Sequence, residues 1–142
     1  MYKAIDVAKY VIEHEDACDR STSNLRLQKL LYFVQAQFLV SRGEACFYDR
    51  IEAWDFGPVV PNVYHEFKFF GSFDIPSSLA KDRMPLSSGD EQLINDMIDY
   101  CARYATSSLV HLTHNQKPWI DARKKGKNAE ITVEAIKEYF EE

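Results

Sequence analysis

Apolar residues recur at helical spacing from the start of the chain. Between Ala4 and about Glu15, Ile5, Ala8 and Ile12 share one stripe with Val11 beside them, which predicts a first helix. The polar run Asp19-Arg20-Ser21-Thr22-Ser23 closes it and offers N-caps for a second helix from about Asn24 to Ser41. That second helix carries Leu27, Leu30, Leu31, Val34 and Phe38 along one face, while Leu25, Tyr32, Phe33 and Leu39 spread apolar surface around much of the rest. A helix that is apolar nearly all round needs other elements on every side, so it is the expected centre of the fold. Gly43 stands where a left-handed residue would end it.

Beyond Gly43 the pattern shortens. Phe47-Tyr48 and Ile51-Glu52-Ala53-Trp54 flank Asp49-Arg50, which predicts a short β-hairpin or two brief extended segments. The stretch from Ile51 to Tyr64 packs a tryptophan, two more aromatics, a Gly-Pro break and a second proline into fourteen residues. Gly57 can adopt angles that other residues avoid, Pro58 has a fixed φ, and Pro61 fits the first turn of a helix. The segment therefore reads as a strand, a turn and a third helix running from about Val60 to Phe69, stopped before Gly71. Ser72 to Ser88, with Pro76, Pro85 and several serines, reads as a long connection and the most mobile part of the chain.

Ser88-Gly89-Asp90-Glu91 fits a capping box, opening a helix with Leu93, Met97, Tyr100, Cys101 and Tyr104 at helical spacing. Leu109, Val110 and Leu112 predict a short helix ending near His114, and Lys117-Pro118-Trp119 begins another turn or two. Arg123 to Asn128 reads as a basic, solvated loop. Thr132 is placed to cap a last helix with Val133, Ile136 and Phe140 facing inward. The expected fold class is mainly α: a single compact helical domain over residues 1–142 with a small β-hairpin.

Composition narrows the function more by exclusion than by assignment. A chain of 142 residues suits one domain with one core. Aromatics at 13% point to a dense core or a sticky surface. The net charge of -5 argues against general binding to phosphate backbones, so no nucleic-acid partner is expected. Cys18, Cys46 and Cys101 are odd in number and scattered, which suits reduced thiols rather than a disulfide framework or zinc knuckle. The amino terminus lacks a signal-peptide block and no run approaches the roughly 20 apolar residues of a membrane span. A soluble, cytoplasmic protein is the expectation.

None of the phosphate-cradling, dinucleotide, nucleophile-elbow or HExxH motifs occurs, and His65-Glu66 lacks the second histidine of a helical zinc site. No enzyme, cofactor or metal is expected. His111 and His114, three apart, could share a metal only with a third ligand such as Asp121; the alternative is that one caps the helix end and the other packs locally. Asp55 and Asp121, each close to a tryptophan (Trp54 and Trp119), could do acid–base work only if they met in a cleft. Burial of the indoles and helix-end roles for the acids account for the same residues. A small polar site around His114, Trp119 and Asp121 is the enzymatic alternative. Tyr64, Phe67, Phe69, Phe70 and Phe73 crowd one stretch, and a helix from Pro61 can bury only some of them. Those left exposed beside the long connection would suit a protein-binding patch.

Two blocks of residues carry a family resemblance. Leu27-Gln28-Lys29-Leu30-Leu31-Tyr32-Phe33 and the stretch from Ile51 to Tyr64 resemble the blocks that mark Panacea-domain proteins, also called SocA-like or phage-associated GepA-type proteins. Leu112-Thr113-His114 and Pro118 to Arg123 are similar to that family's third block, and the closing Ile131 to Phe140 helix also fits. The resemblance implies an antitoxin domain of bacterial and prophage toxin–antitoxin modules, with a cognate toxin protein as its partner, neutralised by direct binding. It also implies an alternative role as an adaptor that delivers the toxin to a cytoplasmic protease. Some members carry an added DNA-binding domain, for which this chain has no room, and homo-oligomerisation is left open. No catalytic residues come with the resemblance. The expected partner-binding residues are Trp54, Tyr64, Phe67, Phe69, Phe70 and Phe73, on a frame shaped by Gly57, Pro58, Pro61 and Trp119.

Overall fold

Helix α2 (Asn24–Arg42) runs through the middle of the molecule because almost none of its circumference suits water. The computed structural model describes residues 1–141. Around α2 stand α1 (Ala4–Ala17), α3 (Pro61–Phe67), α4 (Ser88–Cys101), α5 (Thr106–His114) and α7 (Val133–Glu141), with α6 (Lys117–Lys125) bridging α7 and the sheet. Leu27, Leu30, Leu31, Tyr32 and Val34 are fully buried, each leucine contributing roughly 2 kcal/mol of burial. Leu25 alone of the predicted apolar set is exposed. Ser23 caps the helix by accepting from the Arg26 amide, and Gly43 ends it at φ 75°.

The fold is mainly α with a small antiparallel sheet, as expected, but the hairpin lies further along the chain than Asp49-Arg50. Strands β1 (Ile51–Trp54) and β2 (Gly57–Val59) pair with Trp54 opposite Gly57, and β3 (Glu130–Ile131) adds to the other side of β1. Phe47, assigned to the hairpin from its pattern, instead bridges in parallel to Tyr2. The reason is local: Gly57 adopts φ 109°, which closes the tight Asp55-Phe56 turn, and Asp49-Arg50 has no such residue. Pro58 is tolerated because β2 is an edge strand. Pro61 opens α3 as predicted, and its last turn tightens into a 3-10 segment (Lys68–Phe70) before Gly71.

The connection from 72 to 88, expected to be the most mobile segment, is pinned. The Ile75 amide donates to the Thr22 carbonyl at 2.9 Å, and Ile75, Ala80 and Leu86 are buried, the middle one within a 3-10 turn (Ser77–Ala80) against α1. Three buried anchors replace the polar loop suggested by its serines and prolines.

Helix α4 starts from Ser87, not Ser88: the Ser87 hydroxyl accepts from the Asp90 amide at 3.2 Å. Asp90 thus occupies the third helical position, and its carboxylate also engages Tyr2 and Arg42. The inward face is Ile94, Ile98 and Cys101, while Tyr100 is exposed and Tyr104 lies past the helix end. Arg26 terminates α4 by donating to the carbonyls of Cys101 and Tyr104 at 3.0 Å. Ser87→Ala should therefore cost about 1 kcal/mol in urea unfolding, and Ser88→Ala only a few tenths. Equal losses would contradict this cap. Downstream, Arg123, Lys124 and Lys125 belong to the last turn of α6 rather than to a loop. Thr132 does cap α7, accepting from the Ala135 amide, with Ile136 buried and Phe140 packed on the core. Val133, predicted inward, is exposed.

Candidate functional site

Polar side chains of α2 hold the hairpin and α3 in place by their backbones. The Gln28 carbonyl oxygen accepts from the Val60 amide at 2.9 Å, and its amide donates to Asn24, which donates to the Tyr64 carbonyl. Lys29 crosses the core and donates from Nζ to the Pro58 carbonyl at 2.8 Å. Gln35 does the same for the segment before the sheet, accepting from the Cys46 amide and donating to the Phe47 carbonyl. All four side chains are almost fully buried. Sequence reasoning missed them as site-builders. The available signal was their position on a helix apolar all round, where a polar residue must be buried and must find a partner.

Gly57 is where this grip is tightest. A Cβ there would lie 2.8 Å from Thr113 Oγ1 and 2.9 Å from Lys29 Cε. From the other side, Trp119 of α6 donates its indole N–H to the Trp54 carbonyl at 2.9 Å. Arg123 donates to the Ala53 carbonyl and pairs with Asp55 at 2.9 Å, its guanidinium over the Trp119 ring. Trp119 thus ties α6 to the end of β1.

His114 stacks on Trp119 with ring centroids 4.3 Å apart, and its Nε2 is buried with no hydrogen-bond partner. Burial pushes its pKa down, and nearby Lys29 and Arg123 add to the shift against an opposing contribution from the Asp55 backbone. His111 is exposed and associates with Asn115. Asp121 lines a different small cavity with Lys117, Glu138 and Tyr139. The structure thus brings His114 and Trp119 together but not Asp121, and Asp55 pairs with Arg123 rather than with a second carboxylate.

The outer surface of the braced hairpin is apolar. Trp54 packs edge-on to Tyr64 at 5.0 Å, its indole N–H donating to Glu52. With Leu25, Phe56 and Val59 these rings wall an open groove of about 400 Å³. Lys68 and Lys127 stand on its rim, and neither forms an ion pair among the described residues. Gly71 and Ser72 complete one side, and the flanking Phe69 and Phe73 are 90% and 79% exposed. Phe56, on the turn, is also exposed; its place in the patch was not anticipated. Phe70 is half-buried against the core and against Phe69. Phe67, expected among the partner-binding residues, is 2% exposed and belongs to the core, because it faces inward from the last turn of α3.

Among the described residues no helix is long and apolar enough to cross a membrane. No solved structure matches the chain. It is similar to Antitoxin SocA of Caulobacter vibrioides (strain NA1000 / CB15N), with 36% identity over 124 residues, covering 80% of this chain and 66% of that relative. The chain thus spans just under two thirds of the relative's length. The family model described as "Antitoxin SocA-like, Panacea domain" matches residues 27–120, which include the α2 tethers Gln28, Lys29 and Gln35, the Gly57 hairpin and the Trp119 brace. On that match and that identity, the chain belongs to the SocA-like Panacea-domain family.

Proposed function

We propose that this chain is an antitoxin-type binding module that neutralises a cognate toxin protein in the cytoplasm by direct contact. The observation that carries the reading is the exposed ring of Phe56 in an apolar groove on a braced hairpin, with Phe69 and Phe73 exposed on either side of the Gly71-Ser72 wall of that groove. Large exposed rings cost solubility unless something covers them, and aromatic anchors on a rigid frame are what a protein interface uses. Membership of an antitoxin family supports the class of partner. The reading assigns no catalytic step to any residue.

The test is co-expression with the product of the neighbouring gene. The wild-type chain should restore growth and co-purify with that product. A Phe69→Asp/Phe73→Asp variant should weaken binding at least about 100-fold, since each aromatic anchor contributes roughly 2 kcal/mol or more. Both positions are exposed, so thermal stability should stay within about 0.5 kcal/mol of wild type per site. A harmless neighbour, or a double variant that still binds and protects like wild type, would reject the proposal.

A further inference from the structure

We propose that His14, Cys18 and Asp99 form a zinc site that ties the end of α1 to α4. His14 stands in the last turn of α1 and Cys18 is the residue that caps it, so the two side chains meet on one side of the helix end, and Asp99 reaches the same point from α4. Nε2 of His14 is 3.7 Å from Cys18 Sγ and 2.9 Å from Asp99 Oδ1. All three donor atoms lie within 4.8 Å of one another. Ligand atoms about 2.1 Å (nitrogen, oxygen) and 2.3 Å (sulfur) from a tetrahedral zinc are themselves about 3.4–3.6 Å apart. The imidazole–thiol pair already stands at that separation, and the imidazole–carboxylate pair needs to open by only about 0.5 Å.

The surroundings fit a cation. Arg20 donates to Asp99 at 2.6 Å and pairs with the buried Glu15 at 2.7 Å, so its charge is already offset and it orients the carboxylate. The ion's two charges are then matched by one thiolate and one carboxylate, so the occupied site is neutral. The proton on Cys18 Sγ is released to solvent as the sulfur–metal bond forms. Cys18 and Asp99 are both exposed, which gives the ion a way in and leaves the fourth position to water. A nitrogen, sulfur and oxygen donor set selects zinc or cobalt(II) over magnesium or calcium. None of these three residues lines the aromatic groove, and the site stands or falls independently of the toxin-binding reading.

The experiment uses the full chain, reduced and stripped of metal with a chelator, then titrated with cobalt(II) and zinc. The expected result is one equivalent bound, with a thiolate-to-cobalt charge-transfer band in the near ultraviolet that zinc abolishes. Cys18→Ser should remove the band, and His14→Gln and Asp99→Asn should each weaken zinc binding roughly 100-fold, the loss of one ligand in three. Because Cys18 is exposed, its serine variant keeps the fold, checked by circular dichroism, and carries the decision even if a change at His14 loosens α1. Three outcomes overturn the site: no stoichiometric metal, a cobalt complex without the thiolate band, or zinc binding that is lost in His111→Ala and kept in Cys18→Ser.

Discussion

Replacing Gly57 by alanine is expected to lower the melting temperature by about 6–20 °C. Two independent costs add. At φ 109° a side chain is strained, by roughly 1–2 kcal/mol, wherever it sits in the fold. The new Cβ would also meet Thr113 Oγ1 at 2.8 Å and Lys29 Cε at 2.9 Å, and forcing a methyl group into a filled site costs about 1–3 kcal/mol. Lys29 cannot simply retreat, because its ammonium is held by the Pro58 carbonyl. Together these come to roughly 2–5 kcal/mol, and a domain of this size loses about 3–4 °C per kcal/mol. Adding Thr113→Ala to the Gly57→Ala variant should recover part of the loss, since it clears the nearer contact and leaves the backbone strain. The comparison Gly43→Ala, also at positive φ but with open space around its Cβ, should cost only the strain. If Gly57→Ala melts within 2–3 °C of wild type, the close approach of hairpin and α2 described above is wrong.

The second large effect is on pH. Burial drives Lys29 down from its ordinary 10.5 to about 7, with no carboxylate beside it to oppose the shift. The folded protein therefore releases this proton near pH 7, whereas the unfolded chain holds it until about 10.5. Within that window the unfolded state binds more protons, so stability rises with pH at up to about 1.4 kcal/mol per unit. Below pH 7 both states are protonated and the penalty for the buried charge is fully present. His114, pushed down by burial, contributes with the same sign at lower pH, and its share is complete once the unfolded imidazole has titrated. Opposing groups enter above pH 9. Burial raises Cys101 to about 11 and Cys46 to about 12, and raises Tyr32 as well. For these acids the folded state keeps its protons longer than the unfolded chain, so stability falls as pH climbs past 9. Urea unfolding should show a gain of about 2 kcal/mol from pH 7 to 9 and a decline beyond it. Lys29→Met should flatten the rising limb. A wild-type profile that is level between pH 7 and 9 would mean the ammonium is solvated, against the structure.

How well each element could be read in the sequence follows from where its information sits. Helix α2 was legible because its apolar surface is continuous, and Pro61 and Gly43 marked α3 and the end of α2 by backbone chemistry alone. The hairpin was displaced because Asp49-Arg50 looks like a turn by composition, while the actual turn depends on the φ of Gly57 and on what approaches it. The α4 cap moved by one residue because Ser87 and Ser88 are chemically equal candidates, and Asp90's contacts with Tyr2 and Arg42 lie far away in sequence. Half of the candidate site could be read: Trp54, Tyr64 and Trp119 were singled out, and exposed rings were expected after α3. The hydrogen bond from Trp119 to the Trp54 carbonyl joins residues too distant for any local pattern to reveal. Phe67 and Phe69 are equally apolar, and only the turn of α3 decides that one is core and the other surface. Likewise the His14–Cys18 spacing is visible in the sequence, but Asp99 joins it only through the packing of α1 on α4.

The hairpin is held almost wholly through main-chain groups: the Val60 amide and the carbonyls of Ala53, Trp54 and Pro58. A clasp of that kind is indifferent to most of the side chains it carries. Phe56, at the tip, can be exchanged for other residues without loosening the ribbon, because no tether depends on its ring. Frame and outer surface are thereby uncoupled, so substitutions can accumulate on the outer face at little thermodynamic risk to the body beneath.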